Sequence, residues 1–224
     1  MTKNRQSGGF LVEGLVFFVR FDRLVDRKEG EMMISFYRIE VGKKPGIFDT
    51  EGQKIKQTLI DARVKEIEGV RVIQVWLLFS AVPLLWRELN CLATQLFADP
   101  VIEQSRINRS LARQSKCQRI IGIAYNPDMT VSSESTAKEA IKSLGVSGIF
   151  AVRYGQKYVV RGVIDEKRLE MVRKALITPL IQHLVEDWSK EVPYQLDSET
   201  AEAVSLMGKV KKIRRGVWLV FKLT

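Results

Sequence analysis

Two stretches of this chain come round again at one spacing. GVRVIQVW (69–76) shares its pattern with GIFAVRYG (148–155), and LFADPVIEQ (96–104) shares its pattern with ALITPLIQH (175–183), both at a shift of 79. A pattern held in register across strand, loop and helix implies a duplicated unit. That restricts the chain to architectures in which each copy buries a face against its twin. It points to a paired scaffold rather than to one catalytic pocket. Pro45 and Pro127 stand 82 apart, so the shift is expected to break in the first helix, through a short insertion there.

Each copy can be read locally. ISFYRIEV (34–41) is rich in β-branched and aromatic residues and reads as a strand. Pro45-Gly46 supplies turn chemistry, and Thr50 with Gln53 fits a capping box. Ile55, Leu59 and Ala62 then make one apolar helical stripe. GVRVIQVWLLFSAV (69–82) suits a hairpin or one bent strand, and Pro83 opens a helix carrying Leu85, Leu89, Leu92, Leu96 and Phe97 that Asp99-Pro100 ends. A polar, basic linker (105–117) follows.

In the second copy RIIGIAY (119–125) is a strand, NPDMTVSS (126–133) a turn, and Ala137, Ala140, Ile141 and Leu144 a helical stripe closed by Gly145. IFAVRYG and KYVVRGVI are expected to form a hairpin turning near Gly155-Gln156. Asp165 is an N-cap for a last helix with Leu169, Val172 and Leu176 inward, ended by Thr178-Pro179. The expectation is an α+β fold of two tandem β-α-β-β-α repeats, forming a pseudo-two-fold domain with an antiparallel sheet and helices packed on it. A unit of this size buries too little surface to stand comfortably alone, so the copies share one domain. The expected division is an N-terminal extension (1–32), repeats at 33–111 and 118–188, and a C-terminal tail (189–224), in which GVWLVFKLT could add an edge strand.

Several function classes are disfavoured. No apolar run reaches the roughly 18–20 residues that span a bilayer; FLVEGLVFFVR (10–20) is broken by Glu13 and ended by Arg20. It reads as an extra strand or upstream extension, and Met32-Met33 suits a later start. Two cysteines, Cys91 and Cys117, without a CxxC pair suggest neither disulfides nor zinc, and a reducing, cytoplasmic setting is the default. A single histidine, His183, excludes a multi-histidine metal centre. Net charge is +10, with basic residues at 106–119 and in KVKKIRR (209–215), so an acidic partner has to be considered; no base-reading motif accompanies them.

Beyond these readings the residues resemble a known family. YRIEVGKKPGIFDTEGQKIKQTL resembles the opening strand, Lys-Pro-Gly turn and helix of PurS, the small subunit of phosphoribosylformylglycinamidine synthase, through Lys44, Pro45, Gly46 and Asp49. SLGVSGIFAVRYGQKYVV (143–160) is similar through its Leu-Gly helix end and through Gly155 and Tyr158, and LITPLIQHLVEDW (176–188) looks like the family's helix-end motif. The tandem order is similar to the N-terminal region of some fused synthases. The chain departs from the pattern at Asp128 after Pro127, at Asp99 and Thr178 where asparagine is common, and in the apolar run VPLLWREL.

The resemblance implies a structural, non-catalytic subunit or domain that bridges the synthetase and glutaminase modules of an ATP-dependent carbon–nitrogen ligase in purine biosynthesis. Its partners would be the synthetase (large) subunit and the glutaminase subunit. ATP and magnesium would sit in the synthetase, and this chain would hold no cofactor, no metal and no catalytic residue. It leaves open whether the chain is a subunit or a piece of a fused synthase, and whether it forms a homo-oligomer. Candidate interface residues are Pro45, Gly46, Asp49, Tyr158 and His183; His183 aligns with Gln104 at the shift of 79, which fits a helix-end or interface hydrogen bond. The alternative is a basic α+β nucleic-acid-binding module using the sheet or the arginine-rich linker, with aromatics beside the basic residues.

Overall fold

The computed structural model describes residues 31–33, 35–64, 66–115, 117–191, 209–212 and 219–222. The first run of elements is β2 (Ser35–Lys43), α1 (Thr50–Asp61), β3 (Ile67–Ser80), α2 (Trp86–Cys91) prolonged by a π turn (Leu92–Leu96), and β4 (Glu103–Ile107). The second is β5 (Gln118–Tyr125), α3 (Ser132–Ser143), β6 (Ile149–Gly162), α4 (Glu166–Leu176) and β7 (Gln182–Val185), followed by a 3-10 turn (Trp188–Lys190). These strands make one six-stranded antiparallel sheet, ordered β4-β2-β3-β6-β5-β7. The fold class is α+β. A separate three-stranded sheet joins β1 (Glu31–Met33), β8 (Lys209–Lys212) and β9 (Leu219–Lys222), with β9 in the middle. The terminal strand expected in GVWLVFKLT is therefore not an edge of the main sheet.

The two long strands form the centre of the main sheet, with Gln74 opposite Gln156. Because side chains alternate along a strand and paired residues share a face, the register sorts the sheet into two surfaces. On one, Ile39, Val41, Leu78 and Val152 pack against Leu89, Leu92, Ala137 and Ile141 of the α2–α3 side. On the same surface Val70, Val72, Tyr158 and Val160 pack against Leu59 of α1 and Leu169 and Val172 of α4. All four helices thus cover one face. Burying each such aliphatic side chain contributes about 1.5–3 kcal/mol, which is why the helical stripes, although short, hold. The other face carries Val75, Leu77 and Phe79 with Trp188 of the 3-10 turn.

Four local expectations differ from the structure. First, Gly155-Gln156 is no turn: β6 runs unbroken from Ile149 to Gly162, and each run is strand, helix, one long strand, helix and short strand. Glycine is present there because the Trp188 ring lies over it; an added Cβ would stand 2.6 Å from that ring. Second, the shift between equivalent elements is 82 through the first helix (Thr50 and Ser132) and the long strand (Ile67 and Ile149), and becomes 79 only at Pro100 and Pro179. The missing residues lie after the long strand, not in the first helix. A slip by an odd number would exchange the two faces of a strand, so the alignment of 69–76 with 148–155 cannot be the spatial one.

Third, α1 is capped by Asp49 rather than Thr50: its carboxylate accepts from Gly52 N at 2.8 Å and from Val72 N at 3.0 Å, tying helix to strand. Fourth, the stretch 105–117 begins as a strand, since Glu103–Ile107 pairs with β2. On the next helix, Leu85 is the exposed N-cap residue, while Leu89, Leu92 and Phe97 point inward. Gly145 (φ 76) does follow the C-cap of α3, and Asp165 does cap α4 through Arg168 N at 2.8 Å.

The two runs repeat hydrogen bonds as well as elements. Lys44 N donates to Ile102 O (3.0 Å) and Asn126 N to Ile181 O (2.9 Å). Glu103 Oε2 accepts from Asp99 N, and Gln182 Oε1 accepts from Thr178 N, each at 3.0 Å. Arg71 Nη2 donates to Lys43 O (2.9 Å), and Arg153 Nη2 to Tyr125 O (2.6 Å). Asp49 serves Val72 N as Glu134 serves Tyr154 N (2.8 Å).

Candidate functional site

The five candidate residues do not form one site. Pro45 and Gly46 lie in the exposed β2–α1 turn, where Gly46 takes φ 85 and Lys44 Nζ reaches Pro100 O at 2.7 Å. Phe48 beside them is 69 % exposed, an apolar tip on that turn. Asp49, as shown, holds α1 to β3. Tyr158 is buried beneath the helices, its hydroxyl donating to Gln156 Oε1 at 2.5 Å. His183 sits on β7, with Nδ1 3.2 Å from Asn126 Oδ1 and Nε2 3.0 Å from Glu191 Oε2. Its counterpart Gln104 donates through Nε2 to Lys43 O (3.2 Å), so both tie the short strand to the neighbouring strand's end.

At the middle of the helical face, Gln156 Nε2 reaches Glu51 Oε1 at 2.9 Å and the Tyr154 hydroxyl at 3.1 Å. Trp76 packs between Phe97 and Tyr154, with ring centroids 4.7 and 4.6 Å away. Burial, reinforced by the Glu51 carboxylate, raises the phenol of Tyr154 well above its ordinary value and pushes Tyr158 up to about 12. A phenol raised in the native state keeps a proton that the unfolded chain has lost. Its contribution to stability is intact below pH about 10 and disappears as pH climbs through the folded value. Denaturant midpoints are expected to fall between pH about 10 and 12. Phenolate absorbance should show Tyr154 and Tyr158 titrating late, and Tyr158→Phe should remove one of these two late titrations.

The other face holds a group that the sequence reading did not single out. Glu40 of β2 is fully buried and Lys157 of β6 nearly so; they pair directly across β3. Glu40 Oε1 is also 3.3 Å from Arg38 Nε, and its second oxygen accepts from Leu111 N (2.8 Å) and Ser110 Oγ (3.3 Å). The carboxylate thus ties the two long-strand pairs and the segment joining the runs. Burial lowers the Lys157 ammonium from its ordinary value, while Glu40 acts to hold it up. Trp188 lies 5.7 Å from Lys157 Nζ, close enough for a cation–π contact. The available signal was Arg38 and Glu40 alternating onto one face of YRIEV; the partner Lys157 is 117 positions from Glu40 and carried no local mark.

The residues of β2 through the start of the joining segment match the family model described as PurS, phosphoribosylformylglycinamidine (FGAM) synthase, over residues 37–110. Residues 37–110 are a PurS-like domain. The likeness, over about a third of the chain, is to a domain of FGAM synthase, an enzyme of purine biosynthesis. It covers the first run, from Tyr37 at the start of β2 past β4, and with it Pro45, Gly46, Asp49 and Glu40. No curated protein matches the chain. Among the described residues no helix is long and apolar enough to cross a membrane.

Proposed function

We propose that this chain is a non-catalytic structural subunit or domain of FGAM synthase that holds the synthetase and glutaminase modules in one geometry, in the cytoplasm. Two PurS-like units, 33–111 and 118–188, build it, flanked by the extension 1–32 and the tail 189–224. The carrying observation is the PurS match over the first run, together with the same element order and the same paired hydrogen bonds in the second. A scaffold made of two such units around the Gln74–Gln156 centre presents two similar turns, 44–49 and 126–131, to neighbours. Fixed spacing between a glutaminase and a synthetase lets ammonia pass without loss to solvent, a proximity effect. ATP and magnesium then belong to the synthetase partner. Surface loops such as the Pro45-Gly46 turn, with exposed Ile47 and Phe48, are where the partners would be engaged.

The test is reconstitution with separate synthetase and glutaminase subunits. Adding the chain is expected to raise glutamine-dependent amidine formation, to leave ammonia-dependent formation nearly unchanged, and to bring the three proteins into one peak on gel filtration. Phe48→Asp should weaken that assembly by at least about tenfold, the order expected for losing one buried aromatic anchor. No stimulation together with no co-migration would overturn the reading.

A further inference from the structure

A cavity of about 440 Å³ opens beside β5 and β7, lined by Arg38, Gly122, Lys157, Asp187 and Trp188 and, from α4, by Glu170 and Arg173. That volume is within the range of small-ligand sites. Gly122 lets the Trp188 ring and Val185 close in on the strand there: an added Cβ would lie 2.6 Å from Val185 O and 3.1 Å from that ring.

The charges around it are unevenly spent. Glu40 is the one buried carboxylate beside two cations, and it bonds Lys157 and the joining segment. Arg38 keeps only an ion-pair distance to it, and its Nε is buried without a hydrogen-bond partner. Arg38 lines the cavity, and its guanidinium makes no hydrogen bond among the described residues. An arginine fork matches a planar carboxylate better than it matches a point charge. At the rim, Asp187 uses only Oδ1, which accepts from Ser189 N (3.0 Å) and Oγ (2.7 Å). Those bonds hold its carboxyl below the ordinary value. Arg38, Lys157 and Arg173 against Glu170, Glu186 and Asp187 give the lining both signs, which disfavours phosphate and suits a group carrying both signs.

We infer that this cavity binds a free zwitterionic α-amino acid, its carboxylate on the Arg38 guanidinium and its ammonium toward Asp187. Trp188 walls the space for the rest of the ligand, which makes the cavity a candidate regulatory site separate from the partner-facing turns. Nothing in this inference depends on which enzyme the chain serves.

Calorimetric titration of the full chain with L-glutamine, L-leucine, acetate and inorganic phosphate tests it. The two amino acids are expected to saturate, and acetate to bind at least about tenfold more weakly for want of the ammonium. Arg38→Lys keeps the charge beside Glu40 but loses the fork, and should weaken the amino acids at least about tenfold. Asp187→Asn keeps the Ser189 bonds and should narrow the gap between amino acid and acetate. No saturation by either amino acid, equal or tighter binding of phosphate or acetate, or unchanged binding in a folded Arg38→Lys would each overturn the inference. If Arg38→Lys does not fold, an unchanged amino-acid-to-acetate gap in Asp187→Asn overturns it.

Discussion

Glu40→Ala is expected to cost about 3–5 kcal/mol, the range for removing one partner of a buried ion pair. The cost comes from what is left behind rather than from the pair's intrinsic strength. Lys157 would stay buried with no anion, and Leu111 N and Ser110 Oγ would lose their acceptor. Lys157→Met alone should cost less, because Glu40 then still has Arg38 and two hydrogen bonds. The double variant Glu40→Ala/Lys157→Met should recover the share due to the stranded ammonium but not the share due to Leu111 N, so its loss should fall below that of Glu40→Ala. Urea unfolding of the four proteins closes the cycle. Additive losses in the double variant would mean that the two side chains do not stabilise each other. Because Glu40 is in the first run and Lys157 in the second, the same cycle measures how strongly the two runs are held together. A buried ionic group of this kind is a means of fixing one pairing of the central strands over a slipped one.

What could be read from the residues was what they do to their own neighbours. Gly145, Asp165 and the prolines at 100 and 179 act within a turn or two of themselves, and the structure has a helix start or end at each. The helical stripes were legible for the same reason: their period is in the local sequence. Gly155 and Glu40 were not legible, because what decides them is far away in the chain. Gly155 looks like turn chemistry and is instead the seat of Trp188, 33 residues on. The linker 105–117 reads as solvated charge, yet its first residues complete the sheet edge beside β2, where Arg106 faces Glu40. The repeat itself was visible while its register in the long strand was not. Alternating apolar strands resemble one another at many shifts, and only pairing across the sheet distinguishes an even slip from an odd one.

The same contrast between local and distant causes sets the second large effect. Gly52 lies in the first turn of α1, where alanine would by propensity favour the helix by up to about 1 kcal/mol. An added Cβ would, however, stand 2.2 Å from Val70 O of the neighbouring strand and 2.8 Å from Asp49 Oδ2. Neither can give way, since Asp49 is bonded to both Gly52 N and Val72 N. Gly52→Ala should therefore cost about 3 kcal/mol, at the upper end for overpacking, with the helix lifted from the strand edge. Gly155→Ala meets the Trp188 ring at 2.6 Å and Ile123 O at 2.8 Å. The ring, on a three-residue turn, can move, and the ladder carbonyl Ile123 O is less closely approached than Val70 O is at Gly52, so about 1–2 kcal/mol is expected, accompanied by a change in tryptophan fluorescence. Thermal and denaturant unfolding of both variants separates the two cases. If Gly52→Ala were instead stabilising, helix propensity would outweigh contact with the strand, and Asp49 could not be the clamp that sets α1 on β3. If Gly155→Ala were neutral with unchanged fluorescence, Trp188 would not be seated on the strand, and the cavity beside it would lose its wall.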